Sequence, residues 1–218
     1  MPLLQFEKVS FAANGQVIID DLSFSLEKGD SIAIVGPSGS GKSTLLKLCS
    51  HLISPTSGII FYQGKSLTDY DPLELRKSIA YCFQTPYLFG DTVSDNIRFP
   101  YAIRNMPVDQ ERVADLLATF QIPPDFLDKD VKILSGGEKQ RIALIRTLLF
   151  KPEILLLDEV TAALDTENTS KVEAAVASLN AEGMTVLWVT HNLEQSRRVA
   201  SKVMTIEEGK IKSWEVLR

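Results

Sequence analysis

The sequence predicts an α/β fold: a mixed sheet with helices, preceded by an antiparallel β-subdomain and interrupted by an inserted α-helical subdomain. Three observations predict it. Segments near the N-terminus alternate apolar and polar residues, as antiparallel strands with one wetter face do. Short apolar runs at Ile32–Val35, Ile154–Leu157 and Thr185–Val189 read instead as strands buried on both faces. Between about residues 86 and 149 the strand pattern gives way to helix stripes and loops containing Pro100, Pro107, Pro123 and Pro124. One domain follows, with residues 1–85 and 150–218 as β-subdomain and core and about 86–149 as the helical subdomain.

Taken in order, Leu4–Phe11 and Val17–Leu26 are paired strands around Asn14-Gly15. Ile32–Val35 ends at Gly36, after which Leu45, Leu46, Leu48 and Leu52 predict one apolar face of a helix. Pro55–Gly58 reads as a loop before a strand at Ile59–Tyr62. Asp71-Pro72-Leu73-Glu74 is a helix start, with an N-cap Asp, Pro at the first position and Glu at the third. Ile79–Phe83 reads as a strand ending at Gln84. Val113, Leu116, Leu117 and Phe120 share one helix stripe; Val172, Ala175, Val176 and Leu179 share another, stopped near Gly183. Val203–Ile206 and Ile211–Trp214 flank Glu208-Gly209 as a closing hairpin.

Composition narrows the class. A net charge of −5 argues against a basic nucleic-acid groove, and pairs such as Arg197-Arg198 read as solvated helix faces. Cys49 and Cys82 lack paired-motif spacing, and His51 and His191 are scattered, so reduced, partly buried thiols are expected rather than a zinc site. Met1 leads into Leu3-Leu4-Gln5-Phe6-Glu7 without a signal pattern, and no run approaches the roughly 18 apolar residues of a membrane span. A soluble chain is expected, with any membrane-spanning part supplied by another polypeptide.

Gly36-Pro37-Ser38-Gly39-Ser40-Gly41-Lys42-Ser43 matches G-x-x-x-x-G-K-[ST], with a buried strand before it and an amphipathic helix after it. Such a loop defines a P-loop NTPase core. Its glycines let backbone N–H groups turn around phosphates at a helix N-terminus, with Thr44 next in the helix. Lys42 brings a mobile charge to the β- and γ-phosphates and Ser43 a hydroxyl ligand for Mg²⁺. Leu155-Leu156-Leu157 places Asp158 and Glu159 at a strand's carboxyl end, where parallel sheets hold their ligands. Asp158 is the expected Mg²⁺ residue. Glu159, pointing differently, is the expected general base.

Leu134–Arg141 reads LSGGEKQR. Ser135 and Glu138 satisfy the S-x-x-E capping box ahead of the apolar face Ile142, Ile145 and Leu149. A cap needs no adjacent glycines, whereas close backbone approach to an anion does, so Gly136 and Gly137 point to anion contact as well. Both roles are compatible.

A phosphate loop, LSGGEKQR and ILLLDE in that order resemble the ATP-binding-cassette (ABC) ATPases, and the resemblance covers the chain from about Leu4 to the final hairpin. In that family the signature of one subunit completes the ATP site of another. The resemblance therefore implies that Ser135, Gly136 and Gly137 are ATP ligands of a second copy. It implies a Q-loop role for Gln84 toward Mg²⁺ or water, a D-loop role for Asp165 at the subunit interface, and a switch role for His191, which contacts the γ-phosphate and with Glu159 promotes attack by water. Asp165 reads equally as a helix cap. The family's adenine-stacking aromatic is replaced by Ala13, with Phe11 nearby as the substitute; the alternative is that adenine is held mainly through its phosphates. Val131-Lys132-Ile133 lacks the acidic loop of multidrug-type exporters, and Tyr81–Val93 is similar to a small group of free-standing ABC ATPases implicated in iron export.

The resemblance implies an ATP-hydrolysing subunit using ATP and Mg²⁺, paired with a second copy and an integral-membrane permease subunit at the cytoplasmic face of the inner membrane, without nucleic acid. Two alternatives are a soluble mechanical ABC ATPase and a regulatory module that binds nucleotide without hydrolysis.

Overall fold

The computed structural model describes residues 1–217. In chain order, β1 (Leu4–Ala13) and β2 (Gln16–Leu26) precede β3 (Ser31–Val35), α1 (Lys42–Cys49), β4 (Ser57–Tyr62) and β5 (Lys65–Ser66). Then come α2 (Pro72–Ser78), β6 (Ile79–Cys82), α3 (Val93–Ala102), α4 (Gln110–Thr119) and α5 (Gly136–Leu148). The rest is β7 (Ile154–Asp158), α6 (Thr166–Ala181), β8 (Thr185–Val189), α7 (Leu193–Val199), β9 (Lys202–Glu207) and β10 (Lys210–Val216).

The strands form a four-stranded sheet ordered β2-β1-β4-β5 and a six-stranded sheet ordered β10-β9-β3-β8-β7-β6. β1 pairs antiparallel with both β2 and β4. In the larger sheet β3 runs parallel to β8 and β9, β7 runs parallel to β8, and β10 pairs antiparallel with β9. Every residue of β3, β7 and β8 is buried, which is why these strands read as continuous apolar runs rather than alternations. Asn14-Gly15, Gln63-Gly64 and Glu208-Gly209 each put both central residues at positive φ, as type I′ hairpins require.

The chain divides into two compact units. The first comprises Met1–Tyr81, Pro152–Glu159 and the chain from Leu179 on; the second comprises Cys82–Lys151 and Val160–Ser178. The second unit thus takes in residues 160–178 as well as the inserted stretch expected at about 86–149. One physical reason is the close approach of Asn168, at the start of α6, to Gly137 at the start of α5.

The first unit's core gathers Ile32 and Ile34 of β3 with Leu45, Leu46 and Leu48 of α1 and Leu156, Leu187 and Met204 of the neighbouring strands. α1 stops at Cys49 instead of continuing through Leu52, which is 39% exposed. His51 takes φ 51, its N–H donates to Leu48 O at 3.1 Å, and Leu52 N–H donates to Lys47 O at 2.9 Å. These bonds form a Schellman closure, and Leu52 falls beyond it. The expected cap at Asp71 is present: Oδ1 accepts from Leu73 N–H at 2.7 Å and Glu74 N–H at 3.3 Å. β6 ends at Cys82, and Phe83 beyond it is exposed.

In the second unit the expected stripe Val113, Leu116, Leu117 and Phe120 is buried. Asn96, fully buried, accepts from Phe89 N–H and Arg146 Nη1 and donates to the carbonyls of Phe89 and Thr92. All of its hydrogen-bonding capacity is thereby engaged, which pins the loop before α3 to α5. Cys82 and Cys49 are buried free thiols, and burial pushes Cys82 up to about 12, so it is unreactive.

Candidate functional site

The phosphate loop spans the gap between the carboxyl end of β3 and α1. Gly36 has φ 147, and a β-carbon there would collide with the Ile206 carbonyl, so only glycine fits. The loop is fastened from β9–β10: Gly209 N–H donates to Ser40 O at 3.2 Å, while Gly209 O accepts from Asp20 N–H at 3.0 Å. Pro37, Ser38 and Gly39 are exposed, Gly41 precedes the first turn of α1, and Thr44 is half-buried within that turn.

Lys42 is buried and donates to its own loop, to Gly36 O at 2.9 Å and Pro37 O at 2.8 Å. Burial lowers its pKa, while the charges of Glu159 and Asp158 oppose that shift. Ser40 Oγ is buried without a hydrogen-bond partner among the described residues. A phosphate oxygen would satisfy it, and the loop's geometry suits a polyphosphate.

Asp158 closes β7 with both carboxylate oxygens engaged. Oδ1 accepts from Ser43 Oγ at 2.8 Å and Oδ2 from Tyr81 Oη at 2.5 Å. A hydroxyl and a carboxylate in contact are the hard donors Mg²⁺ takes when phosphates and waters supply the remainder. Among the described residues no group of three or more His, Cys, Asp and Glu forms a dedicated metal cage. The donor set fits Mg²⁺ held jointly with a phosphate.

Glu159 turns the other way. It is a non-glycine residue at φ 50, held by its N–H donating to Val189 O at 3.2 Å. Such a backbone costs about 1–3 kcal/mol and persists where neighbours over-determine it. The turn delivers Oε1 to His191 Nε2 at 2.6 Å, just past β8. A carboxylate only accepts, so this contact assigns the Nε2–H to the histidine. Asp158 and Glu159 are adjacent in sequence, yet Asp158 bonds Ser43 and Tyr81 while Glu159 bonds His191.

Phe11 stands on β1 opposite Ile19 and is half-buried against the core. A β-carbon at Gly41 would lie 2.8 Å from Ile19 Cδ1, so Phe11 is one strand away from the phosphate loop. Gly36–Thr44, Asp158, Glu159, His191 and Phe11 all belong to the first unit, whereas Gln84, Ser135, Gly136, Gly137 and Asp165 belong to the second. Gln84 is exposed just beyond β6.

The capping box at Ser135 is complete: Ser135 Oγ accepts from Glu138 N–H at 3.3 Å and Glu138 Oε2 from Ser135 N–H at 2.7 Å. Asp165 caps α6, accepting from Asn168 N–H at 2.7 Å, and its Oδ2 accepts from Asn168 Nδ2 at 2.7 Å. These bonds lower its pKa. Asn168 thus joins the Asp165 turn to Gly137, where a β-carbon would collide with its side chain. Gly136 faces open space, so sterics within the chain do not explain it.

Two contributors escaped the sequence reading. Tyr81 had a weak signal, since a tyrosine in a buried strand needs a partner for its hydroxyl, though the partner's identity is not local information. Asn168 had none, because one Asn in a first helical turn reads only as surface.

Residues 19–162 match the family described as ABC transporter. The chain is 45% identical over 207 residues to the "Probable iron export ATP-binding protein FetA" of Escherichia coli (strain K12), covering 94% of this chain and 92% of that protein. It superposes on the ATP-binding cassette MJ0796, in a dimeric post-hydrolysis state bound to ADP and Pi, with TM-score 0.87 and 28% identity over 99% of both chains. It also matches cbiO1 from Clostridium perfringens, part of the ABC transporter complex cbiONQ, with TM-score 0.90 and 28% identity, covering 99% of this chain and 89% of that one. The chain belongs to the ABC transporter family. It is an ATP-binding subunit of that family, with the P-loop fold of an ATPase that hydrolyses ATP in transport.

Proposed function

We propose that two copies of this chain close over two ATP molecules, each held by the phosphate loop of one copy and Ser135–Gly137 of the other. They would drive a separate membrane-spanning subunit. The observation carrying this reading is that Lys42, the Ser43–Asp158 pair and the Glu159–His191 pair converge at the carboxyl edge of one sheet. Lys42 would exchange its two loop carbonyls for phosphate oxygens, and Ser43, Asp158 and Gln84 would hold Mg²⁺. When bound, that ion neutralises charge building up on the phosphates. Glu159 accepts a proton from water as the water oxygen bonds to the γ-phosphorus. The bond to the β–γ bridging oxygen breaks, leaving ADP and inorganic phosphate. His191 holds Glu159 in line through Nε2–H. Phe11 and the phosphate contacts share the binding of the base, and Asp165 fixes the turn beside the signature.

Phe83, Tyr87, Phe99, Ile103 and Met106 of the second unit are exposed apolar side chains, which supports docking there of the permease subunit. No described helix is long and apolar enough to cross a membrane, in keeping with a peripheral position on its cytoplasmic face. Likeness to FetA supports iron export as the process served. Unchanged iron content and iron tolerance in cells lacking the protein would overturn that assignment.

The shared site is tested by mixing subunits. Lys42→Ala and Ser135→Ala homodimers each lack both complete sites, whereas the mixed dimer retains one. ATP-stabilised dimerisation should return in the mixture and stay absent in either variant alone; its failure to return would overturn the trans arrangement. Steady-state ATP turnover separates an ATPase from a non-hydrolysing module.

A further inference from the structure

We propose that Tyr81 is a positioning residue for Asp158, using its neutral hydroxyl to fix the metal-binding carboxylate without cancelling its charge. This rests on the assignment of Asp158 to Mg²⁺. Tyr81 stands on β6, 77 residues from Asp158 in sequence, yet its Oη lies 2.5 Å from Asp158 Oδ2. That length is typical of an O–H donating to an ionised carboxylate. Asp158 is 8% exposed, so water cannot substitute freely for a missing donor.

The two donors act from different elements. Ser43, on α1, holds Oδ1; Tyr81, on β6, holds Oδ2. With one donor the carboxylate could pivot about its terminal torsion, which is broad and roughly two-fold. With donors on both oxygens its plane is set. Ser43 can keep donating to Oδ1 while its oxygen lone pair faces a cation, whereas Tyr81 restrains the opposite oxygen from β6, independently of the phosphate loop. An Arg or Lys there would restrain it too, at the cost of neutralising the negative charge that attracts the cation. The Tyr81 ring packs partly buried against the core, so the hydroxyl is separable from the packing.

The experiment uses the full chain with Tyr81→Phe, which keeps the ring, alongside Asp158→Asn. Affinity for a non-hydrolysable ATP analogue is measured in EDTA and across a Mn²⁺ titration, with the Mn²⁺ resonance followed by electron paramagnetic resonance. In EDTA, Tyr81→Phe should bind like the wild type; the Mn²⁺ needed for tight binding should rise about 10–100-fold, the usual effect of losing a partner of a metal ligand. Unchanged Mn²⁺ dependence in Tyr81→Phe, with a strong loss in Asp158→Asn, would overturn the role of Tyr81 alone. Unchanged dependence in both would overturn the metal assignment of Asp158. Equal loss in EDTA and Mn²⁺ would make Tyr81 a packing residue and overturn the proposal.

Discussion

Glu159 Oε1 lies 2.6 Å from His191 Nε2, across two parallel strands whose carboxyl ends are brought level by the pairing of Asp158 with Val189. The left-handed turn at Glu159 separates its side chain from Asp158, which in the proposed mechanism leaves one residue for a water and the other for a metal. In the proposed mechanism the contact sets an order of importance: Glu159 would act on the reacting atoms, and His191 would act through it.

Glu159→Gln keeps the shape and removes the proposed base. ATP turnover should fall by about 10²–10⁴-fold while nucleotide binding persists. His191→Ala should lower kcat with little change in KM, since it removes an orienting contact rather than a binding one. Wild-type turnover by Glu159→Gln would exclude it as the base.

Gly137 and Gly136 should differ sharply despite their adjacency. An alanine at 137 meets Asn168, whose side chain is already committed to Asp165, so accommodation breaks that bond at a cost of about 1–2 kcal/mol. An alanine at 136 meets nothing within 4 Å. Urea midpoints should drop for Gly137→Ala and stay level for Gly136→Ala, and Asn168→Ala should relieve the Gly137→Ala defect. Equal midpoints for the two glycine variants would contradict this steric account.

Glu138 carries a pH signature. Burial raises its pKa, but the Ser135 N–H, the Ser135 hydroxyl and the charges of Lys129 and Arg141 outweigh it, leaving the pKa lowered. A carboxylate with a depressed folded-state pKa stabilises the fold fully above its unfolded value, about 4.3, and loses that contribution as pH falls through the lowered pKa. Glu138→Gln should therefore be less stable than wild type near pH 7, with the gap closing below about pH 4. A gap independent of pH in denaturant titrations would assign the effect to packing.

Much of the site was legible because its chemistry is local. The phosphate loop, the Asp158-Glu159 strand end and the Ser135–Glu138 cap each lie within a few consecutive residues, where spacing alone sets geometry. Leu52 was misplaced because the helix-ending residue is His51, and a left-handed histidine has no distinct sequence pattern.

The sequence by itself determined the family, the phosphate-binding loop, the candidate base and the helix cap, since backbone conformation and hydrophobic period are read within short windows. Tertiary structure alone decided that Tyr81 holds Asp158, that Asn168 ties Asp165 to Gly137, and that residues 160–178 group with the helical unit. Those relationships join distant segments, and sheet order and helix packing bring them together.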